Sequence, residues 1–203
     1  MKNKLQDIIN TASLLFAGKG IKKTSVDLIC HNCGISKKTF YQYFPDKETI
    51  VNEIVKKALV NTEKHIDKLR KIMADAPTEL STFFMYMQCN LSVFTPVFMS
   101  DLMKFYPKVY DLMLESKKSK FLPFFTENVK RGISEGYYRK SLDASITAAL
   151  YFKQLDYALE DEIMLSEKFK FLSYINSFFL HGIVNRTGAE VLVSSFDEDN
   201  SGL

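Results

Sequence analysis

The chain has 203 residues, 46% hydrophobic and 25% charged, which excludes wholesale disorder and collagen-like repeats and leaves room for one or two packed domains. Lys and Arg number 27 against 24 Asp and Glu, and the resulting +3 neither demands nor excludes a nucleic-acid partner. No apolar run approaches the ~18 residues of a membrane-spanning helix, and the three cysteines (30, 33 and 89) are an odd count that gives no disulfide framework.

Nearly every segment has helical periodicity. Leu5, Ile8, Ile9, Ala12, Leu15 and Phe16 repeat on one face of a first helix, which Gly18 and Gly20 end. Gln6, Asp7, Asn10 and Thr11 interrupt the apolar stretch, so no secretion signal is expected, and the setting is taken as reducing and cytoplasmic. Thr24 is expected to cap a short second helix, with Asp27 in its first turn and Val26, Ile29 and Cys30 facing inward. Gly34 breaks that helix. Ser36 then caps a third, from Lys37 to Phe44, which places Phe40 and Phe44 on one side. A long helix follows from Lys47 to Met73, and Pro77 marks the next turn. Further helices are expected at 79–94, 96–114, 117–135, 143–162 and 167–187, with breaks or kinks at Pro107 and Pro123 and stops at Gly136 and Gly188. Residues 191–203 form an acidic, fraying tail.

The two parts of the chain have different chemistry. Residues 1–57 hold ten Lys and five acids, whereas the remainder holds 17 basic and 19 acidic residues. Of the 27 Phe and Tyr residues, only five lie in that first part. Residues 24–44, TSVDLICHNCGISKKTFYQYF, place two short helices around a tight turn at Cys33-Gly34-Ile35, with the first helix needed across them to complete a core. This is a helix-turn-helix, whose second helix enters a DNA major groove. Its outward face offers Lys37, Lys38, Thr39, Tyr41, Gln42 and Tyr43, which suit phosphates and base edges. No Arg occurs in residues 1–57, so bidentate reading of guanine by Arg is absent, and backbone contacts with a steep salt dependence are expected.

At this point residues 5–57 resemble the N-terminal domain of TetR-family transcriptional regulators. The resemblance rests on Phe16 with Gly18 and Gly20, then Thr24, Val26 and Ile29, then the small-Gly-Ile-Ser turn at 33–36. It continues through Lys37, Thr39, Phe40, Tyr41 and Phe44 to Lys47, Glu48 and Ile50. It implies that Thr24, Thr39, Tyr41, Tyr43 and Lys47 contact the DNA and that Phe40 and Phe44 are core. Lys38 stands where small residues are common, and Gln42 lies at a variable position. With Ser36, Lys37, Lys38 and Gln42 these residues make up the expected DNA-binding set.

The resemblance also implies a larger helical effector-binding and dimerisation domain, residues 47–190, behind a head of residues 1–46. An effector pocket is expected from Phe84, Met87, Phe98, Met103, Tyr106, Tyr110, Phe125 and Tyr151, although aromatic residues at helical spacing more often form ordinary core. The stretch shows no charged cluster, which predicts a small, largely apolar or aromatic effector. The last two helices carry too wide an apolar surface for a peripheral hairpin. Ile146, Leu150, Phe171, Ile175, Phe178 and Phe179 are therefore expected at a homodimer interface that sets two reading helices on a palindromic site.

Other chemistry finds little support. Cys30-His31-Asn32-Cys33 has no second Cys/His cluster to complete a metal site, so both cysteines are expected to be small buried residues and His31 exposed. His65 and His181 have no evident nucleophile partner, and His181 is expected to be buried or at an interface. No phosphate loop or hydrolase motif is present. The expected protein is all-α, non-enzymatic, without cofactor or metal, with double-stranded DNA, a second copy of itself and a small effector as partners. It is read as a repressor; the alternatives are an activator of the same fold, or a helical ligand-binding protein with a non-functional head.

Overall fold

Short apolar-periodic segments separated by capping residues fold into helices wherever a neighbour can cover the apolar stripe. In the computed structural model, which describes residues 4–72, 74–160 and 168–192, ten named helices form in this way. The head consists of α1 (Lys4–Lys19), α2 (Val26–Cys33) and α3 (Lys37–Tyr43). Ile8, Ala12, Phe16, Ile29 and Phe40 close its core, and Phe44 and Ile50 join them. The body consists of α4 (Lys47–Ile72), α5 (Ala76–Asn90), α6 (Pro96–Phe105), α7 (Pro107–Ser116), α8 (Leu122–Ser134), α9 (Ala144–Glu160) and α10 (Lys168–Ile183), with a last helical segment at 186–192. No strand occurs among the described residues. A lone antiparallel bridge pairs Tyr138 with Val184.

Local chemistry explains most boundaries. Ser25, one residue beyond the expected cap, accepts from the Leu28 N–H and starts α2. Gly34, at φ 63°, ends α2 in a left-handed cap that returns N–H groups to the Cys30 and His31 carbonyls. Ser36 accepts from the Thr39 N–H and starts α3, and Thr95 with Pro96 starts α6 as expected. α5 begins at Ala76 rather than 79, because Asp75 accepts from the Thr78 N–H and Pro77 sits in the first turn.

The prolines act differently from each other. Pro107 splits the expected 96–114 helix into α6 and α7. Pro123 makes no break: the chain widens just before it into a π segment, Lys117–Phe121, and the Leu122 N–H reaches the Lys117 carbonyl. That spare residue makes room for a ring that lacks an N–H. Gly188, expected to stop a helix, lies inside the 186–192 segment, where an added Cβ would fall 2.3 Å from the Tyr137 carbonyl oxygen. Residues 193–203 of the expected acidic tail lie outside the described residues, and 191–192 are helical.

α4 joins the two parts: Lys57 donates to Gln6 of α1, and Arg70 pairs with Glu127 of α8. The body core is aromatic. Phe125 stacks on Tyr151 with centroids 4.6 Å apart, Tyr151 stacks on Phe84 at 4.8 Å, and Phe179 closes the group. Beside it lies a polar knot. The Tyr138 hydroxyl donates to Asn128, and Asn128 donates to Glu79 and to the Ala76 carbonyl. Arg131 also reaches Glu79, at 2.8 Å.

Tyr138 folds flat onto Gly132 of α8, where an added Cβ would lie 2.2 Å from a ring carbon. Gly132→Ala must therefore displace a fully buried ring and its hydrogen bond. We expect it to lower stability by about 2 kcal/mol in urea unfolding; an unchanged midpoint would contradict this packing.

Candidate nucleic-acid interface

The helix-turn-helix presents one face of α3. Phe40 and Phe44 turn inward and contact each other at 5.7 Å. That commits Lys38, Tyr41, Gln42 and Tyr43 to solvent, with Tyr41 50% exposed and Tyr43 41%. Lys37 is exposed too and pairs with Asp27 of α2 at 2.7 Å, which raises its pKa. That pair lies in water, where a phosphate can compete for the lysine at little cost. The Ser36 and Thr39 hydroxyls lie 2.9 Å apart at the N-terminus of α3.

Two expected DNA contacts are placed elsewhere. Thr24 is fully buried, and its hydroxyl donates to the Gly20 carbonyl at 2.8 Å, so it neither caps α2 nor faces a phosphate. The exposed hydroxyl at this corner belongs to Ser25. Lys47 is half-buried and donates to the Ile21 and Thr24 carbonyls at 2.9 and 3.2 Å. Burial lowers its pKa, with Asp101 opposing. Lys47 thus clamps the 21–24 turn. The cysteines fall near expectation: Cys30 is buried and Cys33 half-buried, while His31 is exposed. Burial raises the Cys30 pKa, which makes its thiol a poor nucleophile at neutral pH. His181 is exposed and so is not a buried histidine.

The expected effector residues divide. Met87 and Tyr110 line a half-open cavity of about 80 Å³ between α4, α5, α6, α7, the π segment and α9. Phe84, Phe125 and Tyr151 are spent on one another in the aromatic core, and burial raises the Tyr151 pKa. Phe98 packs edge-on against Phe94, Tyr106 is half-buried outside the cavity, and Met103 is exposed. Met99, Phe121 and Phe152, which the aromatic and Met-rich pattern also offers, line the cavity as well, and sequence reasoning missed Lys117 and Asp156 beside them.

The expected dimer residues divide as well. Ile146, Leu150 and Phe178 are 62%, 56% and 75% exposed. Phe171 and Ile175 are half-buried beside them, and Tyr157 and Tyr174 extend the same apolar groove. Phe179 instead points inward onto Phe84 and Tyr151.

Head and body meet through α6. The Asp101 carboxylate accepts the Lys22 N–H at 2.8 Å, and the Thr95 hydroxyl donates to the Ala17 carbonyl at 2.8 Å. Lys22 also lies 4.8 Å over the Phe105 ring. Gly20, at φ 84°, permits the approach, since an added Cβ would sit 2.6 Å from Asp101 Oδ2. None of these pairs has a signature in the sequence, because each joins residues about eighty positions apart.

Comparison with known proteins agrees with this geometry. Residues 8–54 match the model for bacterial regulatory proteins of the tetR family. The HTH-type transcriptional regulator YuxN of Bacillus subtilis is 53% identical over 51 residues, which is 25% of this chain and 18% of that protein. A TetR-family regulator from Agrobacterium tumefaciens aligns over 91% of this chain and 99% of its own, at 20% identity and a TM-score of 0.73. The TetR-family protein CprB of S. coelicolor aligns over 95% of this chain and 94% of its own, at 14% identity and a TM-score of 0.75. Residues 8–54 thus carry the helix-turn-helix head of the tetR family of bacterial regulatory proteins, and the chain as a whole shares the fold of solved TetR-family regulators.

The exposed lysines give a direct prediction. Replacing Lys37 and Lys38 by Ala should reduce the slope of log affinity against log salt on duplex DNA by about one unit for each phosphate no longer neutralised. Fluorescence anisotropy across a salt series reads this, and an unchanged slope would remove α3 from the interface.

Proposed function

We propose that the protein is a homodimeric repressor that binds a palindromic operator through α3 and is released by a small, largely apolar effector. The observation that carries this reading is the face of α3, where Lys37, Lys38, Tyr41, Gln42 and Tyr43 are exposed together on a helix held by buried Phe40 and Phe44. Lysines suit phosphate contacts, and an exposed Gln42 suits pairing with adenine. With this role the protein acts in the cytoplasm. No helix among the described residues is long and apolar enough to cross a membrane.

The exposed apolar groove on α9 and α10 supports self-association. A contiguous patch bearing Leu150, Tyr157, Tyr174 and Phe178 is costly in water and suits a twofold contact with its own copy. Two reading helices then lie about 34 Å apart, one DNA turn, on the two half-sites.

The route from effector to DNA runs through α6. Met99 lines the cavity, while Thr95 and Asp101 of the same helix hold the Ala17–Lys22 stretch of the head. A molecule that displaces Met99 moves the helix to which the head is bonded. The long α4 gives a second route, because Ala58, Leu59 and Thr62 also line the cavity. The effector must favour the DNA-free arrangement, since only differential affinity shifts the population.

Selection of bound sequences from random duplex DNA tests the operator claim and should return an inverted repeat. Phe178→Asp should give a monomer by analytical ultracentrifugation at micromolar concentration and weaken operator binding by about a hundredfold or more. A variant that stays dimeric, or a monomer that binds equally well, would overturn the dimer reading. Failure of the wild-type protein to retain any duplex would favour a ligand-binding protein with a silent head.

A further inference from the structure

The cavity is charged on one side only. Met87, Met99, Phe121, Phe152 and Leu155 supply greasy walls, the Thr62 hydroxyl is spent on the Ala58 carbonyl, and Lys117 with Asp156 forms the exception. Lys117 Nζ donates to both Asp156 oxygens, at 2.9 and 2.8 Å, and each side chain is 30% exposed. An ion pair set in an apolar wall loses hydration that mutual attraction only partly returns. α9 does not need the pair in order to dock, because Phe121, Phe152 and Leu155 are already buried nearby. Lys117 also opens the π segment, a widened helical turn of the kind that recurs at functional sites.

The surroundings decide which charge is welcome. Residues 117–120 read Lys-Lys-Ser-Lys, and Lys118 and Lys120 are exposed beside Lys117. Among the described residues, Lys117 and Asp156 are the two charged side chains that line the cavity, and Lys118 and Lys120 lie outside it. An incoming carboxylate replaces Asp156 on Lys117 and keeps that lysine paired, with the exposed Lys118 and Lys120 nearby in the chain. An incoming ammonium would have to take Asp156 from Lys117 and leave that half-buried lysine unpaired beside it. The methionines at 87, 99 and 113 are unbranched and yield readily, so the small cavity can open around an alkyl chain.

We propose that this cavity binds an amphiphile with one terminal carboxylate, which takes Lys117 from Asp156 while its apolar body lies among Met87, Met99 and Phe152. This inference rests on the cavity being the effector site proposed above and narrows that effector's chemistry from largely apolar to apolar with one anionic end.

Isothermal titration calorimetry of the full-length protein with octanoate, 1-octanol and octylamine tests it. Octanoate should bind saturably and about tenfold or more tighter than either of the other two, the worth of a charge-assisted contact. Lys117→Met should erase that preference. Asp156→Asn should retain or improve octanoate binding, because the competing carboxylate is gone. Circular dichroism establishes that each variant folds, and the ligand preference of wild type and Asp156→Asn decides the matter if Lys117→Met does not fold. Equal binding of octanol, preference for octylamine, or no binding of any of the three would overturn the proposal. Operator release is measured separately. Octanoate that binds with the expected preference but leaves the operator complex intact removes the effector reading and leaves this one standing. An operator complex that forms normally with a protein blind to octanoate removes only this one.

Discussion

The turn at residues 20–24 is held from two sides, and the placement of the head depends on that grip. Lys47 of α4 takes the Ile21 and Thr24 carbonyls, and Asp101 of α6 takes the Lys22 amide. Thr24 secures the turn from within by bonding to Gly20. Lys47 and Asp101 each set a charged side chain on a backbone group, the stronger class of hydrogen bond, and the two Lys47 bonds are partly shielded from water. Gly20 makes the arrangement possible, because any Cβ would strike Asp101 and Val97. The three head helices share one core, so fixing this turn fixes α3 as well.

The body is built so that part of it cannot yield and part of it can. Phe84, Phe125, Tyr151 and Phe179 stack into a rigid centre, and the Glu79, Asn128 and Tyr138 knot beside it leaves little freedom. The cavity lies to one side, walled by methionines and by the widened turn before Pro123. Close-packed aromatic groups resist deformation, whereas methionines adapt. Under the proposed function, a molecule bound in the cavity would push toward α6 and α4, the two helices that hold the head.

The helices and the head were legible in the sequence because their signals are local: apolar spacing, capping residues and glycines at turns. The resemblance at residues 5–57 likewise agrees with the family match at 8–54. Legibility ended where a choice depended on distant partners. Thr24 and Ser25 are both good caps, and carbonyls of α1 and its following turn, at Leu15 and Gly20, draw Thr24 inward. Helical spacing marks Phe84, Phe125, Tyr151 and Met87 alike as buried and cannot tell a ring packed on rings from one facing a void. Lys117 and Asp156 look like separate surface charges until folding brings them together across 39 positions. Phe178 and Phe179 are neighbours, and only the direction of α10 decides which one faces outward.

In the proposed mechanism, α6 carries the state of the cavity to the head through Asp101. The chain contains no Trp, so Met99→Trp both fills the cavity and adds a reporter. The decisive measurement is a double-mutant cycle on operator affinity with Met99→Trp and Asp101→Ala. Met99→Trp should weaken operator binding by about tenfold in the wild-type background and by less than about twofold once Asp101 is removed, a coupling near 1 kcal/mol. Equal effects in both backgrounds would contradict it and leave α6 a passive strut.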